Sequence, residues 1–206
     1  MKREFIKFPL HLIVHPFDGF WDMKFERKGK LGLAVLFLAL LVLTNILQKQ
    51  YAGFLVNFND PRYLNSLDEL VFIVLPFLLW CISNWSVTTL MEGEGKFREI
   101  VMATAYAMIP LFLINLPMLV ISRFMTGDET VFYYLMGVVS VLWFLFLLFV
   151  GIMTVHQYTA GKTILTMVLS VVVMLIIVFL GTLIFSLLQQ IYEFIYNVYM
   201  EIIFRM

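Results

Sequence analysis

Five segments without a single charged residue divide this chain: approximately Leu31 to Leu47, Leu70 to Met91, Ile100 to Ser122, Phe132 to Val155 and Ile164 to Leu188. A helix that crosses a bilayer needs about 20 apolar residues, within a range of about 17–25, so each segment is long enough, the first only just. Inside hydrocarbon every backbone N–H and C=O must find a partner within the segment, which makes these helices rather than strands. The chain is therefore expected to be an all-α membrane protein with five transmembrane helices. Its 62% hydrophobic and 14% charged residues agree, since soluble domains hold about 45–50% and about 25%.

The two ends are amphipathic. Residues 1–30 mix basic side chains with aromatic ones, and Pro16 can open a short helix. Phe17, Phe20, Trp21 and Phe25 then recur at helical spacing, while Asp18, Asp22 and Glu26 take another side. This reads as an interfacial helix lying in the headgroup layer, with those four rings as anchors. Beyond Leu188, Gln189, Glu193, Asn197, Glu201 and Arg205 recur every four residues opposite Tyr192, Phe194, Ile195, Tyr199 and Ile202. Either the fifth helix continues past the bilayer or a second interfacial helix begins, with Tyr192 and Tyr199 as anchors. The organisation is thus a cytosolic interfacial segment at 1–30, a five-helix membrane region at 31–188 and an amphipathic C-terminal helix at 189–206, one domain overall. No small-residue cleavage site follows the first apolar run, so that span is expected to be retained.

Of the fourteen basic residues, Lys2, Arg3, Lys7, Lys24, Arg27, Lys28 and Lys30 precede the first span, Lys96 and Arg98 follow the second, and Lys162 follows the fourth. Only Lys49, Arg62, Arg123 and Arg205 fall on the other side. The positive-inside rule places the N-terminus in the cytoplasm, the C-terminus outside, and the protein in the cell membrane. Ser66 and Glu69 match the S-x-x-E capping box ahead of the second span. Shifting the sequence by 66 lays Gly95-Lys96 over Gly161-Lys162, as if two hairpins with short inner turns were repeated.

Chemistry is sparse. Equal numbers of acids and bases give no field for nucleic acid. Cys81 lies in an apolar run and reads as a small buried hydrophobe. His11 and His15 have the i,i+4 spacing of metal ligands, but no third ligand completes a set, so no metal or cofactor is expected. Glu92-Gly93-Glu94-Gly95-Lys96 is not a phosphate loop: Ser or Thr does not follow the lysine, no strand precedes it, and its acids repel phosphate. It reads as a tight helix-to-helix turn in which one glycine takes positive φ. No nucleophile elbow, zinc-protease pattern or charged residue within the spans is found, so neither an enzyme nor a coupled transporter is indicated. Pro110 and Pro117 are expected to kink the third helix.

His15-Pro16-Phe17-Asp18-Gly19-Phe20-Trp21, Gly93-Glu94-Gly95-Lys96-Phe97 after the second span, and Tyr106 with Pro110 in the third together resemble the Yip1-domain family of five-span membrane proteins, specifically its bacterial branch. Ala107 stands where a small polar residue is common in that family. The resemblance implies a non-enzymatic protein that works through partners, with bacterial relatives linked to ABC-type transport systems as accessory membrane subunits. It implies no catalytic residue. The turn Glu92, Gly93, Glu94, Gly95, Lys96 and Phe97, with Tyr106 and Pro110, is the candidate partner contact. The expected function is an accessory subunit that assembles or regulates another membrane complex, most simply an ABC transporter. A small channel or lipid-handling transporter is the alternative.

Overall fold

The computed structural model describes residues 4–205; Lys2 and Arg3, two of the cations counted above, lie outside them. Eight α-helices run in chain order: α1 Glu4–Val14, α2 Pro16–Lys24, α3 Leu31–Tyr51, α4 Ser66–Leu90, α5 Phe97–Ala107, α6 Ile109–Ile121, α7 Thr130–His156 and α8 Ala160–Arg205. Among the described residues there is no strand. Five stretches are long and apolar enough to cross a membrane, namely α3, α4, α5 with α6, α7 with the turn before it, and α8.

The third span is the centre of the bundle. Half of it is buried, against 6% of the fifth. Its first half, α5, packs against α3, α4 and α7, and its buried Ala103, Thr104, Ala105 and Ala107 let neighbouring backbones come close, as small residues do between membrane helices. The expected kink falls at Met108, whose ψ of −6° separates α5 from α6. The ring of Pro110 removes one N–H and crowds the preceding turn. Pro76 and Pro117 sit inside continuous helices, so the second expected kink is not a break.

Residues 1–30 hold two helices, since Pro16 starts α2 at its first position. They do not simply float on the surface: α2 packs on α7 and α1 on α2. Phe20 and Met23, one turn apart, are buried together with Leu12 of α1. The Phe20 ring fills the space left by a missing side chain, for a Cβ on Gly151 would lie 3.0 Å from it. Phe20 therefore leaves the set of expected interfacial anchors and joins the core, whereas Phe17, Trp21 and Phe25 stay about half exposed.

The capping box expected at Ser66 is also displaced. Asn65 is the N-cap, its Oδ1 accepting the Leu67 N–H at 3.0 Å. Glu69 instead turns sideways, accepting from Lys49 Nζ at 2.7 Å and from Asn45 Nδ2 at 2.8 Å on α3. A charged group is thus buried between the first two spans, which the charge-free segment boundaries hid.

The fifth helix is continuous over 46 residues, about 69 Å at 1.5 Å per residue, against a hydrocarbon core of about 30 Å. It leans on α4 through its first third, where Thr163, Thr166 and Ser170 are buried and Asn84 Nδ2 donates to Ser170 Oγ at 3.1 Å. Counting eighteen residues outward from that pair along antiparallel helices puts Leu188 level with Ser66, the start of α4. The rest of α8 extends about 25 Å further. Of the two readings of the C-terminal stripe, continuation of the fifth helix is the one adopted.

Candidate functional site

The site is where the α4–α5 turn meets the end of α7, on the side of the bundle that carries α1 and α2. The helix α4 ends with Glu92 in the left-handed region (φ 57°) and the Gly93 N–H on the Thr88 carbonyl at 2.8 Å, the six-to-one bond of a Schellman cap. The helix α7 ends the same way, with Gln157 at φ 55° and the Tyr158 N–H on Met153 O at 3.0 Å. Neither left-handed position is a glycine, and no glycine among the described residues has positive φ. The expectation of a positive-φ glycine in the turn is therefore corrected: Glu92 takes the strained conformation.

The glycines are required for closeness instead. A Cβ on Gly93 would fall 2.5 Å from Nδ1 of His156 and 2.7 Å from the Tyr158 hydroxyl. One on Gly95 would fall 2.5 Å from Val155 Cγ1 and 2.7 Å from His156 Cε1. Real Cβ contacts are never this short, so only glycine lets the turn lie on the end of α7.

Polar contacts then close the joint. The Gly95 N–H donates to His156 Nδ1 at 3.3 Å; an accepting Nδ1 carries no proton, so the neutral ring holds it on Nε2. That Nε2 is buried without a partner. Tyr158 stacks on His156, ring centres 5.3 Å apart, and its hydroxyl donates to the Met91 carbonyl at 3.0 Å. The Lys162 ammonium sits 4.3 Å from the centre of the Tyr158 ring. Burial, followed by the negative charge of Glu92, pushes the Tyr158 phenol above its ordinary value, so that it stays a donor further into the alkaline range than a free tyrosine. From α2, Lys24 reaches across both partners, donating to Val155 O at 2.8 Å and pairing with Glu94 at 3.3 Å.

Tyr106 and Pro110 are placed elsewhere. Tyr106 is buried in the core, edge-on to Phe37 with ring centres 5.1 Å apart and to Phe8 at 5.8 Å, and its hydroxyl accepts the Lys30 N–H at 3.2 Å. It ties α1, α3 and α5 together and offers no surface to a partner. Pro110 is likewise buried. Of the expected contact set, Glu92, Glu94, Lys96 and Phe97 are exposed and Gly93 and Gly95 half-buried. Phe97 lies edge-on to Trp85. At the far end, Tyr192 and Tyr199 are exposed on α8.

Sequence reasoning missed His156, Tyr158 and Lys24 as parts of this joint. The offset of 66 between Gly95-Lys96 and Gly161-Lys162 is the nearest signal in the sequence: the two helix ends, with left-handed caps at Glu92 and Gln157, lie one residue out of that register, are capped alike and pack together. The rings of His11 and His15 stack 5.0 Å apart, and among the described residues no three potential ligands converge on a metal position. The arrangement is a lock between two turns and the N-terminal helix, with Glu92, Glu94, Lys96 and Phe97 on its outer face.

A family model, the Yip1 domain, matches residues 10–183, a range that contains the lock and the whole bundle apart from the first part of α1 and the distal part of α8. No curated protein and no solved structure matches the chain.

Proposed function

This chain belongs to the Yip1-domain family, and from that premise we propose that it is a non-enzymatic accessory subunit of the cell membrane that assembles or regulates another membrane complex, an ABC transporter being the partner class the family suggests. The observation that supports this is the free length of α8. Past the level of Ser66 the helix is amphipathic, and its apolar face, including Ile191, Phe194, Ile195, Tyr199 and Ile202, stays exposed; about 25 Å of such a face outside hydrocarbon offers a partner a surface to cover. The Lys and Arg asymmetry supports a cytoplasmic N-terminus, which puts α8's free end outside and the Glu92–Phe97 face inside as a second contact.

The test is affinity purification of the full chain from native membranes in mild detergent. A second integral membrane protein should co-purify in fixed ratio, and Ile195→Gln with Tyr199→Gln should release it. Recovery of this chain alone would remove the reading. A second reading, a small channel or lipid-handling transporter, draws on Ser83 Oγ, Asn84 Oδ1 and Thr104 Oγ1, which are buried in the bundle without partners; solute flux or lipid transfer in liposomes holding only this chain would favour it.

A further inference from the structure

On the N-terminal side a cavity of about 410 Å³ opens between α1, the end of α2 and the start of α3. Its rim carries Lys7, Arg27, Lys28 and Lys30 together with His11, and a single acid, Asp22. That acid is already neutralised by Lys28 at 2.7 Å, and the hydrogen bonds to Asp22 and Glu26 hold the Lys28 ammonium charged far into the alkaline range. Arg27 and Lys7 are exposed, and among the described residues their side chains make no ion pair or hydrogen bond. The Arg27 backbone is held at φ 54°, a conformation costly for a residue with a side chain.

We propose that this cavity binds the phosphate of an anionic phospholipid from the adjoining leaflet. Net positive charge converging on a recess, with guanidinium and ammonium donors, fits phosphate oxygens. The lower wall is apolar, made by Phe8 and Leu33, and leads into the first span. Leu36, one turn beyond Leu33 on the same helix face, is about half exposed, so an acyl chain can run down α3 while the headgroup stays in the recess. A free phosphate would use the charges but not this apolar wall. The inference stands independently of the accessory-subunit reading.

The test is native mass spectrometry of the full chain, purified in detergent and exposed to equal amounts of phosphatidylglycerol and phosphatidylcholine. Wild type should retain phosphatidylglycerol preferentially. K7Q/R27Q should reduce the preference by about fivefold per cation removed, and R27Q alone should show the single-step loss. R98Q, which removes an exposed cation of the same side outside the cavity, should leave it unchanged. An unchanged preference in both R27Q and K7Q/R27Q overturns the proposal, as does a loss in R98Q equal to that in R27Q, which would mean diffuse attraction. Displacement of the lipid by inorganic phosphate at the same concentration overturns the lipid assignment in favour of a soluble phosphate.

Discussion

The Cα of Gly93 points its missing side chain at the ring of His156, where a Cβ would lie 2.5 Å from Nδ1. The two residues belong to different hairpins, so the identity of one turn is dictated by the side chain that ends another helix. Gly93→Ala or Gly95→Ala must push His156, Tyr158 or Val155 aside in a packed joint, and overpacking of this kind costs about 1–3 kcal/mol. Both variants are expected to melt earlier in detergent. Gly127→Ala is the control, because nothing lies within 4 Å of a Cβ there. Equal melting of all three would show that the turn does not press on α7.

Glu92 makes the opposite prediction. It holds a left-handed φ of 57°, which costs a residue with a Cβ about 1–2 kcal/mol and a glycine very little. Part of that gain is lost because glycine also frees the unfolded chain. Glu92→Gly should therefore raise stability by up to about 1 kcal/mol, so within one five-residue turn two glycines resist substitution and a glutamate welcomes glycine. A thermal scan of Glu92→Gly beside Gly93→Ala reads both signs in one experiment.

The five spans could be read from the sequence because long charge-free apolar runs have one solution in a bilayer. The details that failed share a cause. Phe20 carries the same amphipathic signal as Phe17 and Trp21, and only the bare surface of Gly151, far away in sequence, decides that it goes inward. Glu69 fits a capping box by spacing, yet its carboxylate finds Lys49 and Asn45, which are i,i+4 on a neighbouring helix. Two glycines around Glu94 signal a structurally necessary turn, but local sequence points to backbone freedom rather than proximity, because proximity depends on His156 and Tyr158 at the end of α7. Local pattern reports periodicity and turn chemistry; it does not report which element will face it.

Glu69 supplies a stability prediction. Its side chain is 12% exposed and that of Lys49 32%, so solvent screens the pair only in part. Glu69→Ala leaves the Asn45 amide and the Lys49 ammonium without their acceptor, a loss of about 1–3 kcal/mol. Glu69→Gln keeps an acceptor oxygen and should lose less. The Arg62–Asp60 pair in the loop has side chains 86% and 35% exposed, and Arg62→Gln, which removes the ion pair while leaving the Arg62 backbone N–H on Asp60 Oδ1, should leave the melting temperature unmoved. If Glu69→Ala and Arg62→Gln behave alike, the contact between α3 and α4 is as weak as a surface pair.

Tyr158 ties the joint to pH. Its phenol is shifted above the ordinary value of 10.0, first by burial and second by the charge of Glu92. A group whose folded pKa lies above its unfolded one holds more proton when folded, so its contribution is complete below about pH 10 and is lost as pH climbs through the folded value. The melting temperature of wild type should therefore be insensitive to this group at neutral pH and should fall above about pH 10. Tyr158→Phe gives up the bond to the Met91 carbonyl at every pH and should start lower, but its alkaline decline should be shallower because it has no phenol to ionise. Glu92→Gln removes the second cause and leaves the first, so in that variant the tyrosinate absorbance of Tyr158 should rise at a lower pH than in wild type while staying above that of a free tyrosine. An identical titration in wild type and Glu92→Gln would mean that the carboxylate does not act on the ring, and that the outer face of the turn is electrically independent of the joint beneath it.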